Sequence, residues 1–276
     1  MQGRIIKLIS NDYTVLADDK LYVCKARGKF RNLNITPLVG DLVDFDEFNN
    51  YIMEIGARNN SLVRPPVSNI DQAIIIASVK EPDFSTNLLD KLLVIIEFNR
   101  IKPVICFTKL DLLNEKELEV INYSINYYHT IGYDIYLNSE IEIIKTIFKD
   151  KLSVFTGQSG SGKSTLINRL DPHLNIKTDK ISKALGRGKH TTRHVELIRL
   201  FGGLVADTPG FSAIAFDDMS LSDIRDNFIE FNLYRDDCQY KDCMHKNETK
   251  CAIKDKVNDQ TILQSRYDNY IKFISK

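Results

Sequence analysis

A phosphate-binding motif at residues 157 to 164 constrains this chain more than any other feature. The segment Gly-Gln-Ser-Gly-Ser-Gly-Lys-Ser fits the pattern G-x-x-x-x-G-K-[ST] at every position. The apolar run LSVFT precedes it and STLINRL comes after it, which is the strand, loop and helix order that such a loop requires. Its glycines let backbone N–H groups converge on phosphate oxygens at a helix N-terminus. The sequence therefore predicts an α/β domain that binds a nucleoside triphosphate.

Individual positions of this loop have predicted roles. Lys163 neutralises charge on the β- and γ-phosphates, and the hydroxyl of Ser164 is placed to bind Mg²⁺. The residues that we expect to contact the nucleotide here are Gly157, Gln158, Ser159, Gly160, Ser161, Gly162, Lys163, Ser164 and Thr165.

The composition is that of an ordinary globular protein. A chain of 276 residues, 43% hydrophobic and 27% charged, is expected to hold two or three domains. Lys plus Arg and Asp plus Glu are 37 each, so a nucleic-acid partner would need a local basic surface. We find no secretion signal at the start and no apolar window of about 18 residues. We therefore expect a cytoplasmic protein whose five cysteines stay reduced.

Residues 1 to 63 have the pattern of a small all-β unit. Five short, largely alternating runs are separated by polar turns: RIIKLI, YTVLA, KLYVCKA, DLVDFDEF and YIMEIGA. They predict a compact barrel. From strand count alone, an oligonucleotide-binding (OB) fold and an SH3-like barrel are equally compatible.

The third run continues into a basic segment, CKARGKFR, at residues 24 to 31. Its alternating cations beside Phe30 suit phosphate contacts combined with base stacking. A charged, solvated strand edge that prevents aggregation explains the pattern equally well. The sequence leaves both interpretations open.

A different architecture begins after Arg64-Pro65-Pro66, which we interpret as a linker. Strands alternate with helices, which predicts a parallel sheet covered on both faces, with ligands at the carboxyl ends of the strands. The predicted strands are 71 to 79, 102 to 108 and 133 to 139, and the predicted helices are 88 to 100, 114 to 130 and 141 to 149.

One strand end carries a base-reading motif, Thr108-Lys109-Leu110-Asp111. The carboxylate of Asp111 can accept from N1–H and the 2-amino group of guanine, and adenine offers neither donor on that edge. The methylenes of Lys109 would lie along the base. Ser139, at the next strand end, would place a backbone N–H near the guanine carbonyl. A solvated turn is the alternative for so short a segment.

Further nucleotide contacts are predicted after the phosphate loop. Residues 177 to 193 carry six cations against one acid, Asp179, and in GRGKHTT the hydroxyl of Thr192 would reach Mg²⁺. A hairpin at 194 to 207 leads into Asp207-Thr208-Pro209-Gly210. There Asp207 would hold Mg²⁺ through water and the Gly210 N–H would sense the γ-phosphate.

This order of motifs resembles the circularly permuted GTPases of the ribosome small-subunit-dependent GTPase A (RsgA) family. TKLD precedes GQSGSGKS, GKHTT and DTPG, whereas ordinary GTPases have the phosphate loop first. The resemblance covers essentially the whole chain. It implies an N-terminal all-β OB-fold barrel at 1–66, a circularly permuted P-loop GTPase domain with a mostly parallel sheet at 67–218, and a zinc-binding, partly helical segment at 219–276.

Two positions depart from the general GTPase pattern. Thr108 replaces an asparagine, and we expect this replacement to lower the affinity for the base. Phe211 comes after DTPG where Ras-like enzymes have a water-orienting glutamine, and the resemblance points instead to His190 as the catalytic residue. A contact from His190 to RNA phosphate is the alternative.

Four metal-binding residues lie close together near the C-terminus: Cys238, Cys243, His245 and Cys251. Three thiolates and an imidazole form a closed tetrahedral zinc set, which indicates a structural site. The spacing C-x4-C-x-H-x5-C also matches the family pattern. Buried free thiols are the better explanation for Cys24 and Cys106, which lie in apolar strands. Residues 259 to 276 are predicted to form an amphipathic helix.

Taken with the resemblance, these residues imply an Mg²⁺-dependent GTPase of the cytoplasm. Its partners would be GTP or GDP and the small ribosomal subunit with its rRNA, and hydrolysis would time release during late maturation. We expect a monomer with no membrane partner. Two alternatives remain, a GTP-gated RNA-binding factor with negligible turnover and a P-loop ATPase or kinase, which TKLD disfavours.

Overall fold

A computed structural model describes residues 1–33, 35–63, 65–172, 195–207 and 216–275. The chain folds as two compact units, each made of two separate stretches. The first unit contains Met1–Ile74 and Asn138–Ser212, and the second contains Ile75–Leu137 and Ala213–Lys276. Within the described ranges, none of the helices has the length and apolar character needed to cross a membrane.

The first unit begins with a closed five-stranded barrel. Its strands are β1 Gln2–Ile9, β2 Asp12–Ala17, β3 Lys20–Ala26, β4 Leu42–Asp46 and β5 Tyr51–Ile55. They pair in the order β1-β2-β3-β5-β4, and β4 pairs back with β1. Only the β3–β5 pairing is parallel among these. This is the strand order of an OB-fold, which decides against the SH3-like alternative.

The basic segment after β3 has no aromatic surface for a base. It forms a short helix, α1 Lys29–Asn32, and the Phe30 side chain is only 5% exposed because it packs into the core. The Nζ of Lys29 lies 5.3 Å from the centroid of this ring. The base-stacking interpretation of Phe30 is therefore wrong, and the segment offers charge alone.

Two short strands flank the predicted proline linker, whose Arg64 lies outside the described residues. Strands β6 Ser61–Val63 and β7 Pro66–Ser68 pair antiparallel, since proline is tolerated at the first residue of an edge strand. Fully buried Asp41 fixes this segment to the barrel. Its carboxylate accepts from Arg58 Nε at 2.7 Å and from Ser68 Oγ at 2.6 Å.

The rest of the first unit surrounds the phosphate-binding motif. Its elements are α4 Ile141–Thr146, β11 Leu152–Gly157, α5 Lys163–Leu170, β12 Glu196–Leu200 and β13 Gly203–Asp207. Strand β11 is parallel to β13, which forms the predicted hairpin with β12. Strand β12 is antiparallel to β1, where Lys7 and Glu196 form an ion pair of 2.8 Å.

The second unit contains the predicted alternation of strands and helices. Its elements are β8 Gln72–Ser78, whose first residues belong to the first unit, α2 Thr86–Phe98, β9 Lys102–Thr108, α3 Glu115–Thr130 and β10 Asp134–Leu137. In the sheet β9 lies between β8 and β10, and β9 and β10 are parallel. Helix α3 begins with a capping box in which Asn114 and Glu117 satisfy each other's backbone N–H groups.

The C-terminal part of this unit is helical. It contains α6 Leu221–Asp226, α7 Ala252–Asn258 and α8 Gln264–Ile274. The helix predicted from residue 259 therefore begins five residues late. Asp259 turns the chain instead, because its carboxylate accepts from the Thr261 N–H at 2.9 Å and competes with helical pairing. Helix α7 was not predicted.

A buried ion network joins α2 to α8 inside the second unit. The Arg266 side chain is fully buried and donates two hydrogen bonds of 2.7 Å to Glu230 and one of 2.8 Å to Asp90. Tyr128 donates to the same Asp90 oxygen at 2.6 Å, and the guanidinium carbon lies 4.5 Å from the Phe228 ring centroid. Bidentate geometry and extra hydrogen bonds are what make such a buried charge tolerable.

Candidate functional site

The phosphate loop connects β11 to α5 in the first unit. Gly160 and Gly162 have φ values of 78° and 91°, a region that side chains other than glycine adopt at a cost. Gly162 also precedes the first turn of α5, where its carbonyl accepts from the Leu166 N–H at 2.9 Å. The glycines thus allow the tight turn that the motif predicts. Gly157 is the last residue of β11, and the residues from Gln158 to Thr165 lie in this loop and the first turn of α5.

Two side chains show how the loop is prepared for an anion. Ser161 is 1% exposed, and its N–H donates to the Gln158 carbonyl at 3.1 Å, which closes the turn. Lys163 is partly buried, and desolvation lowers its pKa. A phosphate beside this ammonium would favour its charged form.

The base-reading motif lies at the end of β9 in the second unit. Thr108 is the last residue of the strand and is 2% exposed, and its carbonyl accepts from the Val79 N–H at 3.1 Å. Lys109 has a left-handed backbone, φ 66°, and donates to the Glu81 carbonyl. Asp111 is exposed in a single 3₁₀ turn, Leu110–Leu112, so its carboxylate is accessible to a ligand.

The remaining predicted nucleotide residues are placed only in part. Ser139 lies in the turn between β10 and α4, and Asp207 is the last residue of β13. Thr192, His190 and Gly210 lie outside the described residues. Their predicted roles therefore rest on the sequence.

The four predicted zinc ligands come together in the second unit. One ligand atom from each of Cys238, Cys243, His245 and Cys251 lies within 4.8 Å of the others. His245 directs Nδ1 at the sulfurs, 3.3 Å from Cys251 Sγ and 3.6 Å from Cys238 Sγ. Cys243, His245 and Cys251 are buried. This donor set and its compactness fit a tetrahedral zinc ion.

Burial alone makes this cluster an unfavourable place for charge. Desolvation raises the pKa of Cys243 to about 12 and lowers the pKa of His245 to about 4. Desolvation also raises the pKa of Cys251, so two buried thiols and a neutral imidazole would then lie together without strong hydrogen-bond partners. A bound divalent cation stabilises thiolates, so the cluster's burial suits a metal site better than it suits free thiols.

Neighbouring side chains hold the ligand loop in shape, and the motif analysis did not find them. The Glu248 carboxylate accepts from the backbone N–H groups of Met244 and Lys246, each at 2.8 Å. Helix α8 contributes two tyrosine hydroxyls, from Tyr267 to the His245 carbonyl at 2.7 Å and from Tyr270 to the Met244 carbonyl at 2.6 Å. The i, i+3 spacing of these tyrosines on a predicted helix was the available signal.

Comparison with protein families gives two matches that cover most of the chain. A family model described as RsgA GTPase matches residues 55–217, and one described as RsgA N-terminal domain matches residues 2–51. The match to the N-terminal domain model contains β1 to β4 of the barrel and ends at the first residue of β5. The first match contains the base-reading motif, the phosphate loop and the β12–β13 hairpin.

Full-length relatives and solved structures agree with the family models. The chain is 51% identical to the small ribosomal subunit biogenesis GTPase RsgA 2 of Oceanobacillus iheyensis, over 100% of this chain and 97% of that protein. Its identity to RsgA of Bacillus subtilis is 46%, with the same coverage. A crystal structure of YloQ, described as a circularly permuted GTPase, matches with a TM-score of 0.85 and 41% identity over 99% of this chain and 93% of that chain.

YjeQ from Thermotoga maritima matches with a TM-score of 0.87 and 34% identity over 99% of this chain and 97% of that chain. These matches agree with the order of motifs along the sequence and with the OB-fold order of the barrel strands. The chain belongs to the RsgA GTPase family and has its circularly permuted fold.

Proposed function

We propose that this protein is an Mg²⁺-dependent GTPase that binds the small ribosomal subunit and acts in its late maturation, with GTP hydrolysis timing its release. One observation carries the proposal. A guanine-type base motif and a complete phosphate loop occur in permuted order in a chain that is 51% identical, along its whole length, to a relative named as a small ribosomal subunit biogenesis GTPase.

The nucleotide is held by residues at strand ends. The loop from Gly157 to Thr165 contacts the phosphates, as its left-handed glycines and partly buried Lys163 support. The base contacts Thr108, Lys109, Leu110 and Asp111, with a further N–H from Ser139. Ser164 and Thr192 bind Mg²⁺, and Asp207 holds it through water. The ion neutralises charge on the phosphates when it is bound.

Hydrolysis needs a group that positions water, and we assign it to His190. Phe211, the residue after DTPG, has no hydrogen-bonding side chain. His190 lies in the GKHTT segment, which also supplies the proposed magnesium ligand Thr192. An imidazole can orient water without acting as a strong base, because phosphoryl transfer depends mainly on positioning and charge stabilisation.

The other two parts of the chain serve binding. The barrel part, 1–66, and the C-terminal part, 219–276, contact ribosomal RNA, and the GTPase part, 67–218, connects them. Cys238, Cys243, His245 and Cys251 hold a structural zinc ion, which their compact and buried arrangement supports. We place the protein in the cytoplasm, since its relatives are named for ribosomal subunit biogenesis, and we propose that it acts as a monomer.

A second candidate has one specific observation in its favour. Phe211 stands where a water-orienting glutamine is usual, which is compatible with a GTP-gated RNA-binding factor of negligible turnover. The exposed carboxylate of Asp111 argues against a P-loop ATPase or kinase, because it selects guanine.

Steady-state GTP turnover with and without purified small subunits tests the proposal. We expect turnover in the wild type, stimulation of turnover by subunits, and loss of both in Lys163→Ala. Lys116→Ala, at an exposed position of α3, is the matched control. Retained subunit binding with no turnover under any condition would favour the binding factor. Equal turnover of ATP and GTP would favour the ATPase.

A further inference from the structure

A cavity of about 580 Å³ lies in the first unit at the N-terminal end of β11. The phosphate loop follows the C-terminal end of the same strand. The cavity is bounded by Lys151 and Leu152 at the start of β11, by Arg4 and Leu16 of the barrel, and by the tip of the β12–β13 hairpin. Six residues of β11 separate the two ends by about 20 Å. The cavity is thus separate from the proposed GTP site, and its volume is in the usual range for ligand sites.

The tip of this hairpin places an aromatic ring against the cavity. Phe201 and Gly202 form the two-residue turn, with φ values of 47° and 76°. Such turns favour asparagine and glycine, and a bulky residue with positive φ is strained. The Phe201 ring is only partly buried, and its centroid lies 6.1 Å from that of Phe148. Strain retained at a cavity wall is typical of a ligand-contacting position.

Cations surround the same cavity. Arg4, Lys151 and Arg199 line it, against the carboxylates of Asp19 and Asp150. Arg199 and Asp19 form an ion pair of 2.7 Å, but their side chains are 57% and 87% exposed, so a ligand phosphate can replace the carboxylate at little cost.

Arg4 is the cation with the least compensation. Its Nη1 is buried and has no hydrogen-bond partner among the residues that the structure describes. Desolvation lowers its pKa, and the charge of Asp71 only partly opposes this. An anion or a carbonyl oxygen brought into the cavity would stabilise this guanidinium.

We propose that this cavity binds one nucleotide of single-stranded RNA, with the base stacked on the Phe201 ring and the phosphates contacted by Arg199 and Lys151. The inference rests on the proposed function, in which ribosomal RNA is a partner. Leu16, Leu200 and Leu204 line the same cavity as the ring, and these apolar walls suit the base. The small excess of cations favours a strand over a free nucleotide, because a strand also brings neighbouring phosphates toward cations outside the cavity. One of these is Lys145, which pairs with Glu142 at 2.8 Å and whose Nζ is 5.6 Å from the Phe201 ring centroid.

The test uses the full-length protein with its GTP site saturated by Mg²⁺ and GDP. The probe is a six-nucleotide single-stranded RNA with a central 2-aminopurine, whose fluorescence is quenched on stacking. We compare wild type with Phe201→Asn, which suits the left-handed turn but removes the ring, and with Arg199→Gln. Lys116→Gln removes one charge from exposed α3 and is the matched control.

We expect quenching in wild type and Lys116→Gln, and at least about fivefold weaker binding with no quenching in Phe201→Asn. The slope of log affinity against log salt concentration is negative. Arg199→Gln should make it less negative by about 0.7, the value for one lost phosphate contact on a single strand. GTP turnover should stay unchanged in both variants, and thermal melting should stay unchanged in Arg199→Gln, whose ion pair with Asp19 is exposed.

Equal affinity and quenching in wild type and Phe201→Asn would overturn the proposal. Competition by uridine monophosphate at the same concentration as the RNA would overturn the RNA assignment, because the site would then take a free nucleotide. The same preparations are assayed for subunit binding. Wild type that fails to bind subunits contradicts the proposed function, whereas intact subunit binding with RNA binding indifferent to Phe201 contradicts this cavity site alone.

Discussion

Asp111 is exposed in the turn after β9, where its carboxylate can accept two hydrogen bonds from guanine. We predict that Asp111→Asn lowers the affinity for GTP relative to that for xanthosine triphosphate by at least about 100-fold. The asparagine amide can donate to the 2-carbonyl of xanthine, and it cannot pair with both guanine donors. Competition binding with the two nucleotides measures this. Asp236→Asn, at a 97% exposed side chain, is the control, and unchanged GTP selectivity would remove Asp111 as the base reader.

Kinetic measurements can distinguish the two possible roles of His190, positioning water and contacting RNA. We expect His190→Ala to lower GTP turnover about 100-fold while GTP affinity changes little, since positioning of water is lost and ground-state contacts remain. His129→Ala on exposed α3 controls for loss of a histidine. If the His190 variant keeps its turnover but loses subunit binding with a non-hydrolysable GTP analogue, His190 is an RNA contact.

At the scale of elements, the Arg266 network fixes α8 to α2. Replacing Arg266 by Met leaves Asp90 and Glu230 buried without their cation, so we predict a loss of about 3–5 kcal/mol in the free energy of unfolding, measured in urea. Adding Glu230→Gln should restore part of the loss. A change below about 1 kcal/mol in the single variant would contradict this account of the network.

The same variant should have a characteristic pH dependence. Burial already raises the pKa of Asp90, and Arg266 opposes that shift. Without Arg266 the folded-state pKa rises further above the unfolded value, so the folded state binds more protons and stability increases as pH falls. We measure how far the urea midpoint changes between pH 8 and pH 5.5. We expect the midpoint of Arg266→Met to rise over this range relative to the midpoint of wild type. If the urea midpoints of wild type and Arg266→Met change in parallel with pH, Asp90 is not a buried carboxylate without compensation in the variant.

The ligand loop from residue 238 to 251 depends on its metal in a different way. We expect about one zinc per chain by elemental analysis, and Cys243→Ser should abolish hydrogen-exchange protection in this loop while GTP affinity stays near wild type. Protection in α8 should persist in part, because the Arg266 network does not involve the ligands. Zinc added back to chelated wild type should restore the loop, and a wild type without zinc would contradict the site.

The strands and ligands that local patterns specify are the ones predicted correctly. The five barrel strands and the parallel strands are set by periodicity, and the structure confirms them. Spacing brought Cys238, Cys243, His245 and Cys251 together as a group, and the structure places these four side chains close to one another. Phe30 was misjudged because an apolar ring among cations gives no local sign of which way it packs. Arg266 was missed for a related reason: its partners Asp90 and Glu230 are distant in sequence, and no periodicity indicates a buried ion pair.

In the whole chain, the permuted order of motifs places the C-terminal segment after DTPG, whose Gly210 we propose as a γ-phosphate sensor. DTPG at 207 to 210 precedes the segment that carries the cysteine cluster. If Gly210 has this role, a change at the γ-phosphate would be transmitted along the chain to a proposed RNA-binding part, and nucleotide state would then control subunit affinity.

Co-sedimentation of the protein with purified small ribosomal subunits tests whether nucleotide state controls subunit binding. The fraction bound is measured with a non-hydrolysable GTP analogue, with GTP and with GDP, each with Mg²⁺, at one fixed salt concentration. We expect retention with the analogue, and release with GDP and after GTP is hydrolysed. Equal binding in all three nucleotide states, or no binding in any of them, would contradict this expectation.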